Sequence, residues 1–317
     1  MTTPSLPADL AALAAGGKGA LARSLSALET APGDPALAAL LDAALAAPRG
    51  LTLGLTGPPG VGKSTLTNAL IARLRARSET VAVIAVDPSS RRSGGALLGD
   101  RTRIEADPED AGVFVRSMAA RRRLGGLADI TWPAAVLMRA LYDLVIIETV
   151  GVGQSETEIA DCADLVVFCA QPGSGDALQF MKAGVTEVPD LVLVTKADLG
   201  TPARRAVADL RGALSLGAAA ETPPDVLAVS ARTGEGLAEA LERPVSLAAA
   251  RRASGALAAR RAAQAGAWAS SQIAESFGQV GLALIAPRLP GPASPFSGVA
   301  ALRTRAAAML HESLKNI

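Results

Sequence analysis

The nine residues Gly57-Pro58-Pro59-Gly60-Val61-Gly62-Lys63-Ser64-Thr65 constrain what this chain can fold into more than any other stretch. They satisfy G-x-x-x-x-G-K-[ST], follow an apolar run at Leu51–Thr56, and open a helical pattern with Leu66, Leu70 and Leu74 on one face. A strand, a glycine-rich loop and a helix in that order make a cradle for phosphate. Gly57, Gly60 and Gly62 let backbone N–H groups turn inward, and the helix N-terminus adds partial positive charge. Lys63 is expected to reach the β and γ phosphates and the Ser64 hydroxyl to ligate Mg²⁺, with Pro58, Val61 and Thr65 completing the loop around the nucleotide.

Beyond the loop, short apolar runs alternate with helical stretches: Val81–Val86, Val113–Val115, Leu144–Glu148, Leu165–Ala170, Leu191–Thr195 and Val226–Val229. This alternation predicts an α/β fold of the P-loop NTPase type, a mostly parallel sheet with helices on both faces. Residues 1–50 are Ala/Leu-rich with helical spacing, broken by Pro32-Gly33-Asp34-Pro35, and predict an N-terminal extension of two short helices. The nucleotide domain is assigned to 51–243 and a C-terminal helical arm to 244–317, with helices at Leu247–Phe277 and Val299–Leu314 and a strand at Val280–Ile285. From pattern alone the arm, with Trp268, fits a second subunit or the same subunit equally well.

A formal net charge of +1 over 317 residues provides no broad attraction to nucleic acid or anionic lipid. The start of the chain carries Asp9 and lacks the basic residues of a secretion signal, and no apolar run approaches ~18 residues. Cys162 and Cys169 stand in or beside a strand pattern and read as small core residues of a protein in a reducing cytoplasm. Five lysines against 26 arginines make each lysine informative, because a guanidinium does not replace compact ammonium chemistry. Lys63, Lys182 and Lys196 all fall in candidate functional segments.

Other strand ends narrow the chemistry. Glu148 closes the run Leu144–Glu148 and is followed three residues later by Gly151, an arrangement suited to holding the Mg²⁺ shell and sensing the γ phosphate. Asp87 and Asp100 are further acids expected on that rim, although each alone also suits a turn. Thr195-Lys196-Ala197-Asp198 is a variant of N-K-x-D. Asp198 can accept from N1–H and the 2-amino group of guanine, whereas adenine would present a lone pair. Lys196 would lay its stem along the base, and Ser230-Ala231 would offer a backbone N–H to guanine O6. Thr195 stands where an Asn amide usually ties this loop to the phosphate loop, so the tie is expected to be missing. GTP and GDP are the expected ligands.

Several blocks together resemble a known family. Val86-Asp87-Pro88-Ser89-Ser90, Leu98-Gly99-Asp100-Arg101-Thr102-Arg103, Arg116-Ser117-Met118 and Glu148-Thr149-Val150-Gly151-Val152-Gly153-Gln154-Ser155-Glu156 are similar to the MeaB/ArgK family of methylmalonyl-CoA mutase-associated GTPases. The resemblance runs through about residues 18–310. It implies a homodimer, and slow GTP hydrolysis that gates cofactor delivery to an adenosylcobalamin-dependent acyl-CoA mutase and protects that enzyme. A cobalamin adenosyltransferase is implied as a further partner. It assigns Ser64, Asp87, Asp100 and Glu148 to Mg²⁺ and the switch loops. It also marks Gly173–Lys182 as a third switch, in which Asp176 and Lys182 respond to the mutase.

Val152 occupies the place where many GTPases carry a water-orienting Gln, which implies slow intrinsic turnover. Gln154 is the nearest alternative. Arg121-Arg122-Arg123 reads as a solvated turn or a contact for an acidic partner. A nickel-insertion GTPase would need thiol or imidazole ligands, and the chain has one histidine, His311, with no close Cys/His pair. A transport ATPase or kinase would need adenine specificity, against which Asp198 argues. A module that binds GTP without turnover is the remaining rival.

Overall fold

The computed structural model describes residues 6–87, 104–119, 129–149, 158–173, 189–216, 223–285, 291 and 293–315, with the backbone alone for residues 87, 119 and 310–315. Three helices precede the sheet: α1 (Leu10–Ala15), α2 (Gly17–Thr30) and α3 (Pro35–Ala46). The expected pair of helices is thus three, because the chain breaks at Gly16-Gly17, where Gly17 takes φ +56°. The break at 32–35 lies where expected. Asp34 caps α3 by accepting from the N–H groups of Ala36 and Leu37 at 2.8 and 3.1 Å, and Pro35 supplies a preset first turn.

The sheet contains β1 (Leu51–Thr56), β2 (Val81–Asp87), β3 (Val113–Ala119), β4 (Leu144–Glu148), β5 (Leu165–Ala170), β6 (Leu191–Val194) and β7 (Asp225–Ala228). Their order is β3-β2-β4-β1-β5-β6-β7, and every pairing is parallel. β1, β4 and β5 are buried at every position, as central strands covered on both faces must be. All carboxyl ends therefore lie on one edge, with β1 at the middle and its loop flanked by the ends of β4 and β5.

Helices α4 (Lys63–Ala76), α5 (Thr131–Leu141), α6 (Thr201–Leu216), α7 (Leu237–Ala253), α8 (Ala256–Ile285) and α9 (Pro295–Lys315) complete the described α-helices. One face of the sheet is covered by α4 and α7 through Leu66, Leu70, Leu74, Leu237 and Leu241. The other carries α5, on which α2 and α3 pack through Leu25, Leu37 and Leu41. The C-terminal helices join this second layer. Trp268 of α8 and Phe296 of α9 meet Trp132 of α5, with ring centroids 5.5 and 5.1 Å from Trp132. Asp42 of α3 accepts from the N–H groups of Phe296 and Ser297 at 3.1 and 3.0 Å, capping α9 from another helix.

The strand expected at Val280–Ile285 is helical. It continues α8 beyond a kink at Gly278, whose φ of +69° and extended ψ interrupt the helix. Val280 and Leu284 are 76% and 74% exposed, while Leu282 and Ile285 pack against Ala269, Ile273 and Val299 as one face of a helix does.

Candidate nucleotide site

The phosphate loop leaves β1 at Thr56 and enters α4 at Lys63. Gly57 takes φ +138°, and a Cβ there would stand 2.2 Å from the Cys169 carbonyl oxygen, so only glycine lets the loop leave β1 against β5. Gly62 caps α4 at φ +102°, which turns the loop into the helix. The Lys63 ammonium donates to the carbonyls of Gly57 and Pro58 at 2.6 and 3.2 Å and is 6% exposed. Its stem thus lies inside the arch of its own loop. Cys169 is buried beneath, its thiol pushed up to about 12 by burial, with Lys63 lowering it and Glu148 raising it. Both Cys162 and Cys169 are buried free thiols, in keeping with core roles.

Glu148 ends β4 opposite Leu55 of β1, which sets its carboxylate beside the start of α4. Ser64 Oγ donates to Glu148 Oε1 at 2.5 Å and Thr67 Oγ1 to Oε2 at 2.9 Å. Ser64 and Thr67 share a face of α4, one turn apart. Both carboxylate oxygens are therefore fixed by hydroxyls of the helix that the phosphate loop opens. A carboxylate and a hydroxyl this close form a hard oxygen donor set, the kind Mg²⁺ prefers. The residues present fit that ion.

On the other side of β1, the loop after β6 carries the expected base-reading residues. Thr195 Oγ1 lies 2.7 Å from the Val61 carbonyl and 3.0 Å from that of Ala170, and Thr195 is 5% exposed. The tie to the phosphate loop expected to be lost with the Asn amide is made instead by a hydroxyl. Lys196 adopts φ +57°, a left-handed conformation costing roughly 1–2 kcal/mol for a residue with a Cβ. This bend starts the 3₁₀ turn Ala197–Leu199, held by the Ala197 N–H on the Val229 carbonyl at 3.0 Å. The Lys196 ammonium donates to Gln171 Oε1 at 2.5 Å and approaches the Gly60 carbonyl at 3.4 Å.

The turn aims Asp198 at the loop after β7. Ser230 Oγ donates to Asp198 Oδ1 at 2.5 Å, while Arg232 Nε and Nη2 both reach Oδ2, at 2.9 and 2.8 Å. The Ser230 hydroxyl holds the Asp198 carboxyl below the usual carboxylate range, and Arg232 acts in the same direction against partial burial. Ala231 follows Ser230 in this loop. Asp100, Gly151, Asp176 and Lys182 lie outside the described residues. So do Gln154 and the Arg121–Arg123 run, and Asp87 is placed by its backbone at the end of β2 on the same rim.

A family profile, described as Methylmalonyl Co-A mutase-associated GTPase MeaB, matches residues 21–282. The chain belongs to the MeaB family. Among relatives, a putative GTPase of Caulobacter vibrioides is 42% identical over 264 residues, 81% of each chain. The mitochondrial methylmalonic aciduria type A homolog of Mus musculus is 42% identical over 229 residues, 71% of this chain and 55% of that protein. In several other curated relatives the matched stretch is about half of their length, as in a putative GTPase of Pyrococcus abyssi, where it is 45%. The crystal structure of a LAO/AO transport system kinase superposes with a TM-score of 0.64 at 28% identity, covering 92% of this chain and 95% of that one.

The MeaB match spans the phosphate loop, Glu148, the 195–198 loop and Ser230-Ala231, so the gathered side chains all lie inside the family region. Three contributors, Thr67, Gln171 and Arg232, lie outside the motifs. Thr67 is signalled only by its helical spacing from Ser64, and Arg232 only by its place directly after Ser230-Ala231. At the opposite edge of the sheet, Asp164 before β5 accepts from the Thr52 N–H, from Arg139 at 3.3 Å and from Arg261 at 2.7 Å. Arg139 is 1% exposed, and burial draws its guanidinium down to about 10. This charge cluster pins α8 to β1 and β5.

Proposed function

We propose that the chain binds GTP along the rim formed by residues 57–65, Glu148, 195–198 and 230–231, and couples its hydrolysis to chaperoning an adenosylcobalamin-dependent acyl-CoA mutase. That it is a GTPase follows from its family. The single observation that carries the assignment of the site is the Thr195–Val61 contact at 2.7 Å, which joins a loop suited to guanine to a loop suited to phosphates.

In this reading the backbone N–H groups of Gly60, Gly62, Lys63, Ser64 and Thr65, with Pro58 and Val61 shaping the loop, face the phosphates. Lys63 leaves the Gly57 carbonyl for the β and γ phosphates. Asp198 accepts from the guanine edge, Lys196 covers the base, and Ala231 donates to O6. Ser64 and Glu148, with Asp87 and Asp100, would hold Mg²⁺. Such an ion neutralises charge developing on the phosphoryl oxygens. Gly151 senses the γ phosphate, and Asp176 and Lys182 respond to the mutase, Lys182 stabilising transition-state charge in the complex. Supporting the last assignment are the family resemblance and the retention of lysine in an arginine-rich chain. With Val152 at the water-orienting position, turnover by the chain alone is slow.

The C-terminal arm, 244–317, is assigned to a homodimer contact. Exposed Val280, Leu284 and Met309 at its outer end support this. A cobalamin adenosyltransferase is the expected donor of the cofactor. No described helix is long and apolar enough to cross a membrane, and a cytoplasmic setting is proposed on the composition.

Co-purification tests the reading. Tagged chain is mixed with methylmalonyl-CoA mutase in GDP and in a non-hydrolysable GTP analogue. Recovery that differs between the two nucleotides supports the coupling, and no recovery in either state refutes this client.

A further inference from the structure

Thr195 and Lys196 are neighbours in the chain, and in extended backbone the side chains of neighbours point to opposite faces. Here both reach the same way. Thr195 Oγ1 lies 2.7 Å from the Val61 carbonyl and 3.0 Å from that of Ala170, while the Lys196 ammonium lies 3.4 Å from the Gly60 carbonyl and 2.5 Å from Gln171 Oε1. Each residue thus spans the gap between the phosphate loop and the end of β5, one rung beside the other. The left-handed backbone of Lys196, φ +57°, turns its side chain onto the side of Thr195. A residue with a Cβ keeps that conformation only where its surroundings over-determine it.

The two contacts at the tip of Lys196 are unequal. At 3.4 Å the Gly60 carbonyl is at the long limit of a hydrogen bond and holds the ammonium weakly. Gln171 is the stronger anchor. An ammonium has donors and no acceptor, so the amide of Gln171 must turn its oxygen toward Lys196. Lysine carries its charge on a flexible four-carbon stem, which sweeps a wide range of positions when held only by its backbone. Pinned at the tip as well, the stem is fixed along its whole length beside the loop of Asp198. A binding surface ordered in advance spares the ligand the cost of ordering it.

We propose that Gln171 is a positioning residue for nucleotide binding: by taking the Lys196 ammonium it presets the lysine stem as the wall on which the guanine base rests. This rests on the reading of residues 195–198 as the loop that binds the base.

The test measures dissociation constants for GDP by isothermal titration, in a double-mutant cycle between Gln171 and Lys196. Gln171→Met removes the acceptor at similar length, and Gln171→Asn withdraws it by one methylene. Each is expected to weaken GDP binding about five- to twentyfold. Gln171→Glu keeps an oxygen for the ammonium and is expected to bind GDP about threefold or more tighter than Gln171→Met. In the Lys196→Met background, Gln171→Met is expected to cost less than about twofold, because the group it positions is gone. A residue that merely supported the loop would cost the same in both backgrounds. Equal loss in the two backgrounds, wild-type affinity in both Gln171→Met and Gln171→Asn, or no recovery in Gln171→Glu overturns the proposal. If Lys196→Met itself binds GDP as wild type does, the base-loop reading falls and the proposal with it. If Lys196→Met weakens GDP binding while the Gln171 variants do not, the positioning role alone falls.

Discussion

Thr195 reaches across from the end of β6 to place its hydroxyl 2.7 Å from the Val61 carbonyl, which ties the loop proposed to read the base to the loop proposed to cradle phosphate. The carbonyl is buried, and leaving such an acceptor without its donor costs about 1–3 kcal/mol. Thr195→Ala is therefore expected to weaken GDP binding, by up to roughly 150-fold at the upper end of that cost. Thr195→Ser, which keeps the hydroxyl, should stay near wild type. Titration calorimetry distinguishes the two, and equal affinity in both variants would dissociate the tether from binding.

Thr67 should matter for turnover more than for affinity. Thr67→Val keeps the shape and removes the donor to Glu148 Oε2. A hydrogen bond to a charged group is worth about 1.5–3 kcal/mol, so GTP hydrolysis is expected to fall by roughly ten- to a hundredfold. Glu148→Ala should go further and abolish the dependence of nucleotide affinity on added Mg²⁺. EDTA titration of both variants, read by GDP affinity and by phosphate release, checks each point.

At the far edge of the sheet, Asp164→Asn leaves the Arg139 and Arg261 guanidinium groups without their carboxylate. Removing one partner of a buried pair costs about 3–5 kcal/mol, and the urea midpoint at neutral pH should drop accordingly. Burial pushes the Asp164 carboxyl up, but Arg261, Arg139 and the Thr52 N–H together hold it below the usual carboxylate range. Its folded value therefore lies under its unfolded value. The stability it supplies is full above the unfolded value of about 3.9 and is lost as pH falls through the folded one. Wild type should lose stability on acidification over that window, and Asp164→Asn should show a flatter, lower profile.

Val280 and Leu284 offer a separate test of the arm. Because both are exposed, Val280→Asp with Leu284→Asp should leave the thermal midpoint of the isolated chain nearly unchanged. If these residues form the proposed homodimer contact, light scattering should show a dimer for the wild-type chain and a monomer for the double variant. A dimer that persists would locate the interface elsewhere.

Much of this arrangement is legible in the sequence, and the reasons differ by element. β1, β4 and β5 fall where their apolar runs lie because a strand buried on both faces admits little but apolar residues. The run Val280–Ile285 has the same composition, but periodicity cannot separate a short apolar run from a stretch of helix, and this one continues α8. The phosphate loop and Asp198 are legible because their chemistry requires particular residue types at fixed spacing. Their supports are not. Thr195 on Val61, Thr67 on Glu148 and Arg232 on Asp198 are contacts between segments brought together only by the order of strands, and no local pattern encodes the partner. Thr195 shows the hazard most plainly, since substitution of one motif residue suggests a lost contact where the fold makes an equivalent one.

Phosphate release by the purified chain, followed with GTP and with ATP, alone and with methylmalonyl-CoA mutase in the same reaction, decides whether a guanine-specific hydrolysis is coupled to the mutase. Slow release from GTP, none above background from ATP, and faster release from GTP when the mutase is added are expected. Equal release from ATP, or a GTP rate indifferent to the mutase, would contradict this.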